Sequence, residues 1–281
     1  MTYFYIGTYG SAEEKGIYLG EMNRETGDLQ LVDGASGIEN ATFLEWDELH
    51  RVLYAVSEKE NSEVFAYAAD PETRKLKVIS RKATESSGAC HVSRSRDGKY
   101  LFTTGYSDGR ISVFALEGEG AIGEISSLIR HSGRGLRDDR QSEAHPHSIF
   151  QDPHHEYVVV CDLGMDNVNL YRLEDGKLVT HREIAMPPGS GPRHVAFHPS
   201  GQWMYCVNEL NCTVTVFAYD STFGDLKTLQ HVSTLPPGVR WRIRRLRSPY
   251  RLAGGFCMLR TGDMTASCSI SLTPRTACCK R

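Results

Sequence analysis

His147, Arg193 and Glu209 are the side chains of this 281-residue sequence best suited to acting together on a carbonyl. An imidazole or a carboxylate can take a proton from water, and a guanidinium can stabilise the charge that develops on the oxygen of an attacked ester. The three lie far apart in the chain, so the reading depends on where each falls in a repeat. His147 and Arg193 occupy the same place in two successive copies, with Thr42 and Cys90 in the two copies before. Glu209 occupies a second shared place, with Glu58, Tyr106 and Leu163. Glu58, His91, Asp162 and His194 are the candidate substrate-binding residues at or beside these positions. His91 and His194 share one repeat position, which packing between repeats explains more simply than catalysis. An Arg193–Glu209 ion pair bracing two loops is the plainer alternative for that pair. For His147 taken singly, it is a turn histidine bonded to backbone.

The repeat itself is legible. His194-Val-Ala-Phe-His-Pro-Ser-Gly-Gln-Trp-Met-Tyr-Cys-Val-Asn-Glu209 is followed by Thr213-Val-Thr-Val-Phe-Ala-Tyr219 and Gly224-Asp-Leu-Lys-Thr-Leu229. The same layout runs from His91, from Ser148 and, more loosely, from Phe43. Each copy reads as four short strands, a to d, with period-two alternation between Gly, Pro, Asp and Asn turns. Thr42, Cys90, His147 and Arg193, each just before strand a, are spaced 48, 57 and 46 residues apart. Four strands at that period indicate the blades of an all-β propeller. An insertion over Arg130–Glu143, rich in Gly, Arg, Asp and Ser, accounts for the long interval and suits an exposed loop. Ahead of the first copy, Tyr3–Gly7, Gly16–Leu19 and Asp28–Val32 read as strands b, c and d of a closure blade whose strand a belongs to the far terminus. About four full blades plus this partial one are expected, and inner strands should bring both shared positions to one channel mouth.

The formal charge of −3 makes no electrostatic case for nucleic acid. No apolar run reaches the length of a membrane span, and Met1–Gly7 lacks the pattern of a signal peptide. Cys90, Cys161, Cys206 and Cys212 show neither metal-ligand spacing nor a disulfide framework, which suits small core residues of a cytoplasmic protein. A metal site from His145, His147, His154 and His155 lacks an accompanying acidic pattern, so neither metal nor cofactor is expected. Repeated aromatics such as Phe114, Tyr171 and Phe217 read as core.

The average charge hides a break. Val239–Arg281 carries ten Lys or Arg against one acid, Asp263, and leaves 1–238 at a net of −12. Read one frame away, codons for Gly254–Met264 can spell G-R-F-L-Y-A-S-N-R-G-H-D, a copy of the strand-b pattern Gly201-Gln-Trp-Met-Tyr-Cys-Val-Asn208. The expectation is therefore an incomplete propeller over 1–238 and a frame-shifted, poorly folded basic tail over 239–281. A basic tail that binds nucleic acid is the competing reading.

Gly191-Pro-Arg-His-Val-Ala-Phe-His-Pro199 with Tyr205-Cys-Val-Asn-Glu-Leu210 resembles the signature of the seven-bladed lactonase family typified by 6-phosphogluconolactonase. His145-Pro-His-Ser148, Asp152-Pro153 and Cys161-Asp-Leu163 match its preceding blade, and Tyr5-Ile-Gly-Thr-Tyr9 and Gly88-Ala-Cys-His-Val92 also fit. The resemblance spans residue 3 to about 238. It implies hydrolysis of 6-phospho-D-glucono-1,5-lactone, a phosphorylated sugar lactone, to 6-phosphogluconate in the pentose phosphate pathway. Fungal muconate-lactonizing enzymes share the fold, and the resemblance to them implies action of His147, Arg193 and Glu209 at a lactone ring. A further family Arg falls where the shifted frame reads N-R-G-H-D, and is absent from the chain as written. The alternatives are a muconate-type cycloisomerase and a non-catalytic propeller that binds other proteins.

Overall fold

The computed structural model describes residues 2–235 and the backbone of two short strands, 258–261 and 264–267. The described residues contain strands and turns and no helix. The three N-terminal strands β1 (Thr2–Gly7), β2 (Lys15–Met22) and β3 (Leu29–Ser36) pair in that order as an antiparallel sheet. Four four-stranded antiparallel sheets follow, each ordered as it runs in sequence. The first is β4 (Ala41–Asp47), β5 (Val52–Ser57), β6 (Glu63–Ala69) and β7 (Leu76–Ala83). The second is β8 (Ala89–Arg94), β9 (Tyr100–Gly105), β10 (Arg110–Glu117) and β11 (Ala121–Arg130). The third is β12 (Pro146–Gln151), β13 (Val158–Asp162), β14 (Asn167–Glu174) and β15 (Lys177–Ala185). The fourth is β16 (Pro192–Phe197), β17 (Trp203–Asn208), β18 (Thr213–Asp220) and β19 (Asp225–Ser233). These are the expected partial blade and four full ones.

Successive blades meet at their first strands, β4 against β8, β8 against β12 and β12 against β16. Alternation then sends the two faces of each sheet into two different cores. Leu53 and Ala55 of β5 pack with Ile17 and Ile38 toward the partial blade. Val52, Tyr54 and Val56 pack with Val92, Leu101 and Phe114 of the second blade. This double burial explains why strand b reads as an uninterrupted apolar run such as Val158-Val-Val-Cys161, all buried. Strand d lies outermost and faces solvent, as in β19, where every residue after Leu226 is exposed. In the fourth blade, Met204 and Cys206 of β17 are buried against the third, whereas Trp203 is 37% exposed and Tyr205 and Val207 are only half-buried. No blade among the described residues packs on that second face.

A bulge repeats in every strand a. Register breaks between Ala41 and Phe43, Ala89 and His91, Pro146 and Ser148, and Pro192 and His194. The residue skipped in each is Thr42, Cys90, His147 or Arg193. The sequence reading set these just before strand a, because regular alternation starts only after them. They are in fact its second residue, released from cross-strand pairing by the bulge.

The insertion also differs from expectation. β11 runs to Arg130 and β12 begins at Pro146, so the loop is 131–145. It is not a freely exposed loop, because Gln141 within it has no accessible surface. The expected boundary near 238 and the expected poor folding of 239–281 lie outside the described residues, apart from the antiparallel pair β20 (Met258–Thr261) and β21 (Met264–Ser267).

Candidate active site

One backbone hydrogen bond recurs in all four full blades. Glu58, Tyr106, Leu163 and Glu209, each directly after strand b, donate their N–H to the carbonyls of Asn40, Gly88, His145 and Gly191 at 2.8–3.0 Å. Each acceptor lies two residues before a bulged residue. Asn40, Gly88 and Gly191 hold positive φ, +48°, +65° and +60°, which lets the chain turn sharply into the strand. The bulge and the turn therefore present two side chains per blade at the same end of the channel.

His147, Arg193 and Glu209 are brought together there. Arg193 Nε donates to His147 Nε2 at 3.0 Å and lies 3.1 Å from Glu209 Oε2. The hydrogen bond assigns the lone pair to His147 Nε2 and the proton to Nδ1, a buried atom with no partner among the described residues. Burial, then the Arg193 charge, holds the imidazole well below its usual pKa, so it is neutral. The Arg193–Glu209 ion pair anticipated as the simpler reading is present, and it coexists with the contact to His147.

Two residues that sequence reasoning left out of the charged set complete it. Arg140 Nη2, from the 131–145 loop, donates to Glu209 Oε1 at 2.6 Å and to the Tyr106 hydroxyl at 3.4 Å. Glu209 thus sits between two guanidinium groups, Arg193 with 14% of its side chain exposed and Arg140 with 39%. Tyr106 stacks on His145, 4.3 Å between centroids, and meets His147 edge-on at 5.6 Å. The Arg-rich composition of the insertion was the one available signal for Arg140.

The four proposed substrate-binding residues differ in placement. Glu58 is half-buried and accepts from the Tyr9 hydroxyl at 2.8 Å. Asp162 has no accessible surface. Its Oδ1 accepts from the backbone N–H of His145, Gly164 and Met165, and its Oδ2 from His131 Nδ1 at 2.6 Å. Both oxygens hold protein groups in place, so its contribution is to set the start of strand β12, two residues from His147. His91 is fully buried and packs with Phe43, Phe150 and His194. His194 meets His147 at 5.3 Å between rings. His91 and His194 are both held neutral, chiefly by burial, and form the floor beneath His147. Blade packing, the simpler of the two readings, is the one their burial matches.

Cys90, the bulged residue of the second blade, is no nucleophile here. Burial, then the Glu58 charge, pushes its thiol up to about 12. Among the described residues no group of three or more His, Cys, Asp or Glu could hold a metal ion. No helix among them is long and apolar enough to cross a membrane. A surface cleft of about 260 Å³ lies at the opposite end of strand a, beside Asp97, Gln151 and His155, away from these groups.

Bladed sheets around a mouth that presents imidazole, guanidinium and carboxylate define an all-β propeller with a polar channel site. The family described as Lactonase, 7-bladed beta-propeller, matches residues 3–246, and the chain belongs to it. A 6-phosphogluconolactonase from Bacillus subtilis is 31% identical over 233 residues, which are 83% of this chain and 66% of the relative. The chain thus spans just under two thirds of that relative's length. Among solved structures, the periplasmic gluconolactonase of Pseudomonas aeruginosa superposes with a TM-score of 0.77 at 28% identity, covering 84% of this chain and 69% of that one. A protein from Lactobacillus plantarum superposes with a TM-score of 0.78 at 25% identity, covering 85% and 69%.

Proposed function

We propose that the protein hydrolyses 6-phospho-D-glucono-1,5-lactone to 6-phosphogluconate, the lactone-opening step of the pentose phosphate pathway. The observation that carries this reading is the contiguous imidazole–guanidinium–carboxylate set of His147, Arg193 and Glu209, in a chain of the lactonase family. The name of the Bacillus subtilis relative supports the phosphorylated substrate. We place it in the cytoplasm, a compartment in which the free thiols of Cys90, Cys161, Cys206 and Cys212 would persist.

The mechanism follows from the one hydrogen bond that must change. With Arg193 donating to His147 Nε2, the base has no lone pair for water. A lactone carbonyl arriving beside Arg193 offers a better acceptor, an oxygen on which negative charge develops, and draws the Nε–H away. His147 Nε2 is then unmasked and takes a proton from the attacking water. Glu209 keeps the guanidinium in place while its partner changes. Collapse of the tetrahedral adduct breaks the bond to the ring oxygen, which receives the proton back from His147, and the ring opens to a hydroxy acid. Glu58 is proposed to reach a sugar hydroxyl, while Asp162, His91 and His194 act by holding the site in shape.

Steady-state hydrolysis of the phosphorylated lactone tests the reading. His147→Gln is expected to lower kcat/KM by roughly 10²–10⁴-fold, the range of positioned proton transfer. An unchanged rate would overturn the role of His147. Turnover of muconolactone in preference to the sugar lactone would favour the cycloisomerase alternative.

A further inference from the structure

The mouth carries one guanidinium more than opening a lactone requires. A single guanidinium, Arg193, lies against His147, and one is enough to meet a developing oxyanion. Arg140 is a second, and the chain goes to some length to put it there. Its loop is pinned by Gln141, a side chain without accessible surface, whose Nε2 donates to the Leu163 carbonyl at 2.9 Å. Gln141 Oε1 accepts from Arg137 N at 3.1 Å, and the Gln141 carbonyl accepts from Gly135 N at 2.9 Å. At the loop's base His131 bridges Asp162 and the Tyr171 hydroxyl, 2.6 Å to each. Leu163 is the third blade's member of the mouth set, so the loop is tied to the site itself.

Arg140 also keeps capacity in reserve. Its hydrogen bonds to the described residues run through Nη2 alone, to Glu209 and Tyr106, and 39% of its side chain is exposed. The Nη1 and Nε hydrogens make neither of these bonds and remain as charged donors for phosphate oxygens. Arg140 and Arg193 share the two oxygens of one carboxylate, so both guanidinium groups stand at one mouth. The inner cation, against His147, is placed for the carbonyl, and the more exposed outer one for a substituent that projects from the ring.

We infer that Arg140, supported by the Tyr106 hydroxyl, receives the phosphate of the substrate and sets the preference for phosphorylated over unphosphorylated lactones. The inference deepens the lactonase reading and rests on it for the orientation of the ring. Glu209 then has two duties. It steadies Arg193 through Oε2 and holds Arg140 at the mouth through Oε1.

Binding of 6-phosphogluconate and of gluconate to the full chain, measured by calorimetry, tests this without requiring turnover. The wild-type chain is expected to prefer 6-phosphogluconate. In Arg140→Gln that preference should fall roughly ten- to hundredfold, the loss of a charge-assisted pair of hydrogen bonds. Arg140→Lys, which keeps the charge but not the planar guanidinium, should fall between the two. Gln141→Ala, which frees the loop, should weaken the preference in the same direction. Absence of binding, equal binding of both acids by the wild type, or a preference that Arg140→Gln retains would each overturn the inference. The last outcome includes a parallel loss for both acids, the mark of a residue that merely holds Glu209. Hydrolysis assays on the same proteins separate the two readings. A chain that opens neither lactone yet shows an Arg140-dependent preference would defeat the lactonase reading and leave the phosphate assignment standing.

Discussion

His147 is kept neutral by two causes that act in the same direction, burial first and the neighbouring Arg193 charge second. Protonating it in place would put a second cation beside Arg193 in a desolvated pocket. Its basic form therefore persists at pH values well below 6.5, and the acid limb of kcat/KM is expected there rather than near the ordinary histidine range. Removing the neighbouring charge must move the pKa upward, because a positive neighbour disfavours the imidazolium. Nuclear magnetic resonance titration of the His147 ring in Arg193→Met should show a partial rise toward 6.5, partial because burial remains. No change, or a fall, would mean that the guanidinium does not set the state of the base.

At the scale of the strand, each blade places its site residue by the same device, a one-residue bulge followed by regular pairing. The far end of strand a is held as firmly. Asp152, just after β12, has no accessible surface. Its Oδ1 accepts from Glu156 N and Tyr157 N at 2.8 and 2.9 Å, and its Oδ2 from His154 N at 3.2 Å and from the Tyr219 hydroxyl of the fourth blade at 2.9 Å. It closes the a–b turn and ties two blades together. Asp152→Ala strands these buried donors and is expected to cost about 3 kcal/mol, read from urea denaturation midpoints. Tyr219→Phe, which removes one bond and leaves the turn intact, should cost about 1 kcal/mol. Equal costs for the two would show that the turn bonds contribute nothing.

Across the whole molecule, the channel floor gathers His91, His147 and His194 into one buried cluster, and all three are held neutral in the fold. In the unfolded chain each titrates near 6.5, so below that pH the unfolded state binds protons that the folded state refuses. Stability is therefore full above pH 6.5 and falls as the medium is acidified, until the folded-state values are reached. The slope from each histidine approaches about 1.4 kcal/mol per pH unit only where the unfolded imidazole is largely protonated. Chemical denaturation between pH 7 and 5 should show it, and His91→Phe should remove about a third of the slope. An unchanged slope in that variant would exclude the cluster as its source. At the other end of the chain, nucleotide sequencing through codon 238 is expected to find a missing or extra base. An intact frame would refute the frame-shift reading of 239–281.

The sequence by itself determined the blades. Period-two alternation, turn residues and a fixed spacing are local signals, and a strand buried on both faces must read as Val158-Val-Val-Cys161 wherever it lies. The same repeat, with residue type, was sufficient to single out His147, Arg193 and Glu209, because equivalent positions in blades that meet at their first strands converge. Other features were decided only by the tertiary structure. The bulge that releases these residues from pairing leaves no mark in the pattern, since it depends on how two strands register across a turn. Asp162 reads like any exposed acid, and only the fold shows both its oxygens committed to backbone and His131. Arg140 sits in a loop whose composition suggests solvent. Its place over the mouth rests on Gln141 reaching Leu163 across 22 residues, a contact that local sequence has no means of encoding.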